Sequence, residues 1–346
     1  MTFKNTPFLY AFIFLLLAVV VGFGIFFSFF IDIKKNTDPL NIIPEFDSAK
    51  ERAGWSKRMN EIGVEQTYAE FKEENASRHF SIQHFAAHIM GELLYDKKGI
   101  KGLTVCDSAF AFGCYHSFFG RALSEQGMEV ISDLNNACLE KYGPLGTGCL
   151  HGIGHGLVEY IGHNKLVAAL NACTMTTQVN PLFGCTSGAF MEYNNPIIIT
   201  AENIYSDERK LDKSNPHEPC NTIVPEKFRK SCYFEIGLWW KQVFGEDYAK
   251  LGKLCQEIIN MDYQESCYLG IGTVIAPSSD FDVKESINMC KKMPDDTAEL
   301  TCRAGASWIF FAVPEQRSLA PAVCEGLEEN DKNRCLLKAN LIGEKI

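Results

Sequence analysis

The segment KLVAALNACTMTTQVNPLFGC, residues 165–185, contains the features that decide the fold. Its first nine residues carry apolar side chains at helical spacing and end at Cys173. A loop with Pro181 and Gly184 then leads to Cys185, where we expect a second helix to begin. Because one cysteine lies on each side of the loop, the segment predicts a helical hairpin closed by a disulfide bond.

The same arrangement recurs along the chain. The 14 cysteines form seven pairs separated by 8 to 12 residues, and the second members follow one another at steps of 33 to 36 residues, with one step of 47. The long step contains an insertion around Pro196–Pro219. Zinc sites usually place cysteines about two to four residues apart, and no C-x-x-C occurs here. We therefore predict seven disulfides, namely Cys106–Cys114, Cys138–Cys149, Cys173–Cys185, Cys220–Cys232, Cys255–Cys267, Cys290–Cys302 and Cys324–Cys335.

Each second cysteine is expected to open the second helix of its hairpin. The preceding residue is an acceptable N-cap in six of the seven repeats, for example Ser231 or Ser266. Residues 64–75 and 78–95 are predicted to form a further hairpin that has no cysteine.

A period near 35 residues is typical of helical-hairpin solenoids. From roughly Cys106 to the C-terminus, the chain resembles the tetratricopeptide-like αα-hairpin solenoids, in a version with one disulfide per repeat. The resemblance is architectural only, because the usual pattern of Trp, Leu-Gly, Tyr, Ala and Pro is not present, and it assigns no functional residue. The predicted fold is all-α: a right-handed αα-hairpin solenoid of about eight repeats, with one N-terminal transmembrane helix.

The N-terminus predicts the location of the protein. Residues 8–31 form an uncharged segment that is long enough to span a bilayer as a helix. The segment lacks the short apolar core and the small-residue cleavage site of a signal peptide. We expect a cytoplasmic segment 1–7, a signal anchor 8–31, a stalk 32–61 and a repeat domain 62–346. Since disulfides need an oxidising compartment, the repeat domain of this single-pass membrane protein is expected in the periplasm or at the cell surface.

Composition and motifs exclude several functions. The net charge is −10 and the chain has no Lys/Arg block, so nucleic acid is not an expected partner. The sequence contains no Walker loop, dinucleotide fingerprint, G-x-S-x-G or H-E-x-x-H motif.

The glycines of CLHGIGHGLVE, residues 149–159, belong to the repeat rather than to a site. Gly152 and Gly154 have counterparts in CYLGIGTVIA, residues 267–276, which contains no histidine. We interpret them as points of close helix–helix approach, where a side chain would not fit. Gly156 alone is additional.

The histidines form a separate pattern. HFAAHIMGE (84–92) and HGIGHGLVE (151–159) both read His-x-x-x-His-x-x-x-Glu, which places the three side chains along one helix face. Two histidines at i and i+4 can chelate one metal ion, and His116 lies in the repeat between the two motifs. The predicted ligands are His84, His88, His116, His151, His155, Glu92 and Glu159.

Several alternatives stay open at this stage. The cofactor is a transition metal (zinc, iron, copper or manganese) or a haem held between histidines, at one site or two, and Glu92 and Glu159 are either ligands or a general base. In the second hypothesis the protein binds no metal and is a membrane-tethered scaffold for a protein or peptide on the solenoid surface. His79, His163 and His217 lie outside the pattern and are interpreted as structural or surface residues.

Overall fold

A computed structural model describes residues 46–340, with gaps at 79, 111, 144–145, 178–179, 181, 195–196, 200–203 and 207–213. The chain divides into two units, Met1–Asp47 and Ser48–Ile346. The predicted cytoplasmic segment and signal anchor lie outside the described residues. Within the described residues, no helix is both long enough and apolar enough to cross a membrane.

The described part of the chain is almost wholly helical, as predicted, and contains fourteen α-helices. Two three-residue strands, β1 (Ile197–Ile199) and β2 (Ile204–Ser206), pair in antiparallel fashion within the predicted insertion. The helices are α1 Ser48–Ile62, α2 Val64–Asn75, α3 Phe80–Lys98, α4 Gly113–Gln126, α5 Ile131–Tyr142, α6 Thr147–Ile161, α7 Leu166–Ala172, α8 Cys185–Asn194, α9 Glu226–Phe244, α10 Tyr248–Gln256, α11 Met261–Ser278, α12 Val283–Cys290, α13 Asp296–Ala312 and α14 Glu329–Lys338.

All fourteen cysteines lie at disulfide distance from their predicted partners, with Cα–Cα separations of 5.5 to 5.9 Å. Each disulfide joins the two sides of one hairpin loop. In the chain-entropy model, closing a loop of this length stabilises the fold by roughly 3 kcal/mol.

The N-terminal hairpin without cysteine is confirmed as α2 and α3. The helical part of the predicted stalk, α1, packs against both of them. Its Trp55 and Met59 are buried, and the Trp55 ring contacts the Phe71 ring edge-on at 5.3 Å.

One helix of each hairpin packs against its counterpart in the next repeat, in the order α3, α4, α6, α8, α9, α11 and α13, which we call the inner helices. Helix α5 packs against the inner helix of its own repeat, and α7, α10 and α12 each pack against the inner helices of their own and the preceding repeat. All seven inner helices contribute residues to one cavity, so the row curves around it. The Phe183 ring meets the Trp308 ring of α13 at 4.5 Å and brings distant repeats together. The solenoid arrangement and its right-handedness stay predictions.

The repeat glycines mark close helix contacts, as the sequence predicted. A Cβ atom on Gly152 would overlap the Phe119 and Tyr115 side chains, and a Cβ atom on the equivalent glycine of three later repeats would overlap a backbone carbonyl oxygen of the preceding inner helix. The overlapping pairs are Gly188 with His151, Gly270 with Phe234, and Gly305 with Leu269. Gly156 likewise lies against the backbone of Gly120, on α4. Glycine is thus required here for packing.

The predicted start of the second helix is wrong in the four later repeats, where α9, α11, α13 and α14 begin six residues before the second cysteine. In α11 and α13 the reason is a better cap in the loop. The Asn260 side chain accepts hydrogen bonds from two backbone N–H groups of α11, and the Asp295 side chain accepts one from α13. Ser266, a predicted cap, instead donates its hydroxyl to the Asp262 carbonyl inside the helix.

Candidate metal centre

The five predicted histidine ligands come from three consecutive inner helices and line the same cavity. His84 and His88 lie one turn apart on α3, and His151 and His155 lie one turn apart on α6. His116 projects from α4, which packs between these two helices. We call these five residues the histidine cluster.

The first group of potential ligands is His84, His88 and His116, whose ligand atoms lie within 4.8 Å of one another. The Nε2 atoms of His84 and His88 are 3.1 Å apart. Nδ1 of His116 lies 3.3 Å from Nε2 of His88. These separations place three ring nitrogens around one point.

The second group is His116, His151 and His155, with the same spacing limit of 4.8 Å. The Nε2 atoms of His151 and His155 are 3.0 Å apart, and the His116 ring stacks on the His155 ring at 3.9 Å. His116 therefore belongs to both groups. The curvature of the inner helices brings together side chains that lie two repeats apart, which a straight row of helices would not do.

The outer nitrogen of each paired histidine is held by a neighbouring group. The bonds run from Nδ1 of His84 to the Phe110 carbonyl oxygen (2.8 Å), His88 to Ser117 Oγ (2.9 Å), His151 to Ser187 Oγ (2.7 Å) and His155 to Glu192 Oε2 (2.8 Å). Such bonds fix the orientation of a ring and leave Nε2 directed into the cluster. Histidines that ligate metals almost always have an outer partner of this kind.

Burial keeps His84, His88, His116 and His151 uncharged. His116, His151 and His155 are 5%, 2% and 5% exposed. Burial lowers the pKa of His84 to about 4, and it lowers the pKa values of His88, His116 and His151 well below the ordinary value, with neighbouring histidines adding to the effect. At neutral pH these imidazoles are therefore neutral, which is the form that binds metal ions.

Glu192 on α8 is a carboxylate that the sequence analysis missed. It accepts hydrogen bonds from His155 and from Nε2 of His163, the latter at 3.3 Å. Burial acts to raise the pKa of Glu192, but these two hydrogen bonds hold it below its ordinary value. The sequence feature that could have indicated Glu192 is that it is the single acidic residue in α8. His163, which the sequence analysis interpreted as a structural or surface residue, helps to hold Glu192 in place beside the histidine cluster.

The two predicted carboxylates do not belong to either histidine group. Glu92 forms an ion pair with Arg52, and the carboxyl of the exposed Glu159 lies against Gly120. Both residues lie one helical turn beyond the second histidine of their motif, and there each carboxyl meets a different neighbour. His79 lies outside the described residues, and His217 pairs with the exposed Glu257 at 3.2 Å.

The cavity beside the cluster has a volume of about 300 Å³. Most of its wall is apolar and aromatic, with Phe85, Phe112, Phe183, Phe234 and Trp308 among the lining residues. An ion held by three histidines would keep a coordination position open for a water or a small molecule, as catalytic zinc sites do.

Comparisons with protein-family models, with curated proteins and with solved structures found no match. The functional conclusion therefore depends on the geometry of the site.

Proposed function

We propose that this protein binds a transition-metal ion at the histidine cluster, as the centre of a membrane-anchored, extracytoplasmic helical protein. The observation that carries the proposal is the convergence of five histidines in two groups, in which three pairs of ring nitrogens lie 3.0 to 3.3 Å apart. In a tetrahedral site with metal–nitrogen bonds of about 2.0–2.1 Å, neighbouring nitrogens lie about 3.3 Å apart. The rings are thus close to the spacing that one ion imposes.

Hydrogen bonding within the cluster gives an incomplete alternative. Nδ1 of His84 faces a carbonyl oxygen and Nδ1 of His155 faces a carboxylate, so both Nδ1 atoms carry a proton, and Nε2 of the neutral His84 presents a lone pair. A proton on the opposite Nε2 could satisfy each pair. It would still leave the buried Nε2 of His116, which has no hydrogen-bond partner among the described residues. Such a group costs about 1–3 kcal/mol, and a metal ion removes that cost.

The donor set narrows the metal. Neutral imidazoles suit zinc, copper and iron, whereas manganese prefers oxygen ligands. Thiolate ligands are absent because every cysteine is in a disulfide. A haem fits less well, because its axial ligands bind on opposite faces of the ring system, whereas the close ring nitrogens here are only 3.0 to 3.3 Å apart, with no room for the ring system between them.

The convergence also favours metal binding over the scaffold hypothesis, which does not require the histidines to face one point. A metal-bound water at the open position would be the nucleophile or the exchangeable ligand if the centre is catalytic. The anchor and the compartment rest on the uncharged segment 8–31 and on the seven disulfides.

The test uses the full chain, produced without a polyhistidine tag in an oxidising compartment and purified in detergent. Metal content is measured after dialysis against zinc, copper or iron. The wild type is compared with the double variant His84→Ala/His151→Ala, which removes one ligand from each group, and with the control His217→Ala.

We expect at least one equivalent of metal in the wild type and in the control, and almost none in the double variant, with unchanged helicity by circular dichroism. A folded wild type that takes up no metal would contradict the proposal. Metal content in the double variant equal to that of the wild type would contradict the proposal too. A Soret band in the absorption spectrum would show that the protein binds haem and not a bare ion.

A further inference from the structure

Glu235 interrupts the repeat pattern at a position that faces the cavity. It lies three residues after Cys232, where α8, α11 and α13 carry Gly188, Gly270 and Gly305. The side chain lines the cavity and is only 2% exposed. A long acidic side chain therefore occupies a position that is glycine in four of the other repeats.

The packing between α8 and α9 makes room for this side chain. In the steps from α6 to α8 and from α11 to α13, both close-contact positions are glycine. In the step from α8 to α9 they are Phe190 and Glu235, and the chain insertion separates the two helices in sequence. The Asn194 side chain, at the end of α8, donates a hydrogen bond to the Glu235 backbone carbonyl oxygen at 2.9 Å.

The buried carboxyl of Glu235 has one oxygen that is unsatisfied among the described residues. Its Oε1 atom is buried and makes no hydrogen bond to any residue that the structure describes. Burial raises the pKa of Glu235 well above its ordinary value. Burial thus favours the protonated carboxyl, which offers one O–H donor and one carbonyl acceptor to whatever fills the cavity.

The surroundings of Glu235 indicate what kind of molecule fits. The neighbouring cavity wall is apolar, with Met191, Phe234, Leu238 and Trp308. A volume of about 300 Å³ lies at the lower end of the range for small-molecule sites, which are mostly apolar with a few placed polar groups.

We propose that the cavity binds a small, mainly apolar organic molecule with a hydrogen-bond-accepting oxygen, and that the Glu235 carboxyl donates to that oxygen. A buried neutral carboxylic acid acts as such a donor in known enzyme sites. The inference deepens the proposed function, because the molecule would lie in the cavity that the histidine cluster lines. The hydrogen bond itself needs no metal.

The test compares two probes of the same shape, acetophenone and α-methylstyrene, which differ by an oxygen in place of a methylene group. Binding to the full chain is followed through the methyl signal of Met191 in protein with 13C-labelled methionine methyls. The variants are Glu235→Leu, which removes the donor, Glu235→Gln, which keeps an N–H donor, and the control Glu257→Leu at the exposed partner of His217.

We expect the wild type and the control to bind acetophenone at least about tenfold more tightly than α-methylstyrene, since a site built to donate a hydrogen bond discriminates against an analogue that lacks the acceptor. Glu235→Leu should bring the ratio close to one while it still binds α-methylstyrene. Glu235→Gln should restore most of the preference.

A wild type that binds neither probe, or binds both equally, would overturn the inference, as would a preference that survives in Glu235→Leu. The titrations are run on chelator-treated and on metal-loaded protein, and metal content is measured for every variant. A preference in metal-free protein supports the role of Glu235 even if the metal proposal fails. Normal metal content without a preference contradicts the inference alone.

Discussion

The inner helices α4 and α6 resemble α11 and α13 in their disulfides and glycine contacts, which we call the frame, but they carry different cavity-facing residues. Both pairs are anchored by disulfides and packed through repeat glycines. Two residues after the second cysteine, the first pair has His116 and His151, whereas the second has Leu269 and Ala304. The frame therefore folds with or without histidine, which indicates that the histidines serve the site rather than the fold.

Removal of single disulfides should show which repeats support metal binding and which contribute only to the stability of the fold. The double variants Cys173→Ala/Cys185→Ala and Cys255→Ala/Cys267→Ala each open a loop with a sequence separation of 12 residues. Each should lose roughly 3 kcal/mol in free energy of unfolding, measured in denaturant. Only the first should also weaken metal binding, since α8 carries Ser187 and Glu192. Equal metal affinity in the two variants would contradict the separation of roles.

Glycine-to-alanine substitutions, each of which adds one carbon atom, compare a helix contact beside the histidine cluster with an equivalent contact away from it. Gly188→Ala places a Cβ against the His151 carbonyl oxygen, and Gly305→Ala places one against the Leu269 carbonyl oxygen. Both should cost about 1–3 kcal/mol in free energy of unfolding because the helices must move apart. Metal affinity, measured by competition with a chromophoric chelator, should fall in Gly188→Ala only. A fall of the same size in Gly305→Ala would show that the site depends on the whole ring.

The carboxylate–histidine pairs provide a smaller and sharper comparison. Glu192 holds His155 inside the cluster, and Glu257 holds His217 at the surface. Glu192→Gln should lower metal affinity roughly 10- to 100-fold, because it weakens the orienting bond to a ligand. Glu257→Gln should leave metal affinity unchanged. Identical chelator-competition curves for the two variants would show that Glu192 does not support metal binding.

Glu235 gives the smallest effect, which depends on pH. Its pKa is raised in the folded state, so folding retains a proton that the unfolded chain releases above about pH 4.3. Wild-type stability should therefore decline relative to Glu235→Gln as pH rises from about 4.3 toward neutrality. The measurement is the Tm difference between the two proteins at pH 4.5 and pH 7.5, with chelator present. A difference that does not change with pH would mean that Glu235 is ionised in the fold.

Local patterns predicted much of this structure. The cysteine spacing predicted the hairpins and their disulfides, and the histidine columns predicted the five residues that converge. The glycines predicted the close helix contacts. Each of these features is a short-range regularity that a repeat copies along the chain.

Closure of the inner helices around one cavity was not predictable in the same way. It depends on small rotations between repeats, which add up over the whole row. Glu192, Phe183 and Trp308 therefore became neighbours of the histidine cluster only in three dimensions. Glu92 and Glu159 matched the pattern in sequence, but each carboxyl meets another neighbour.

The central claim is that the histidine cluster holds a metal ion, and crystals of the metal-loaded full chain test it most directly. Anomalous difference maps recorded above and below the absorption edge of the metal locate the ion. We predict a peak within bonding distance of the ring nitrogens of His84, His88 and His116, of His116, His151 and His155, or of both groups. A peak only elsewhere in the molecule, or five histidine rings joined by hydrogen bonds with no peak between them, would contradict the account.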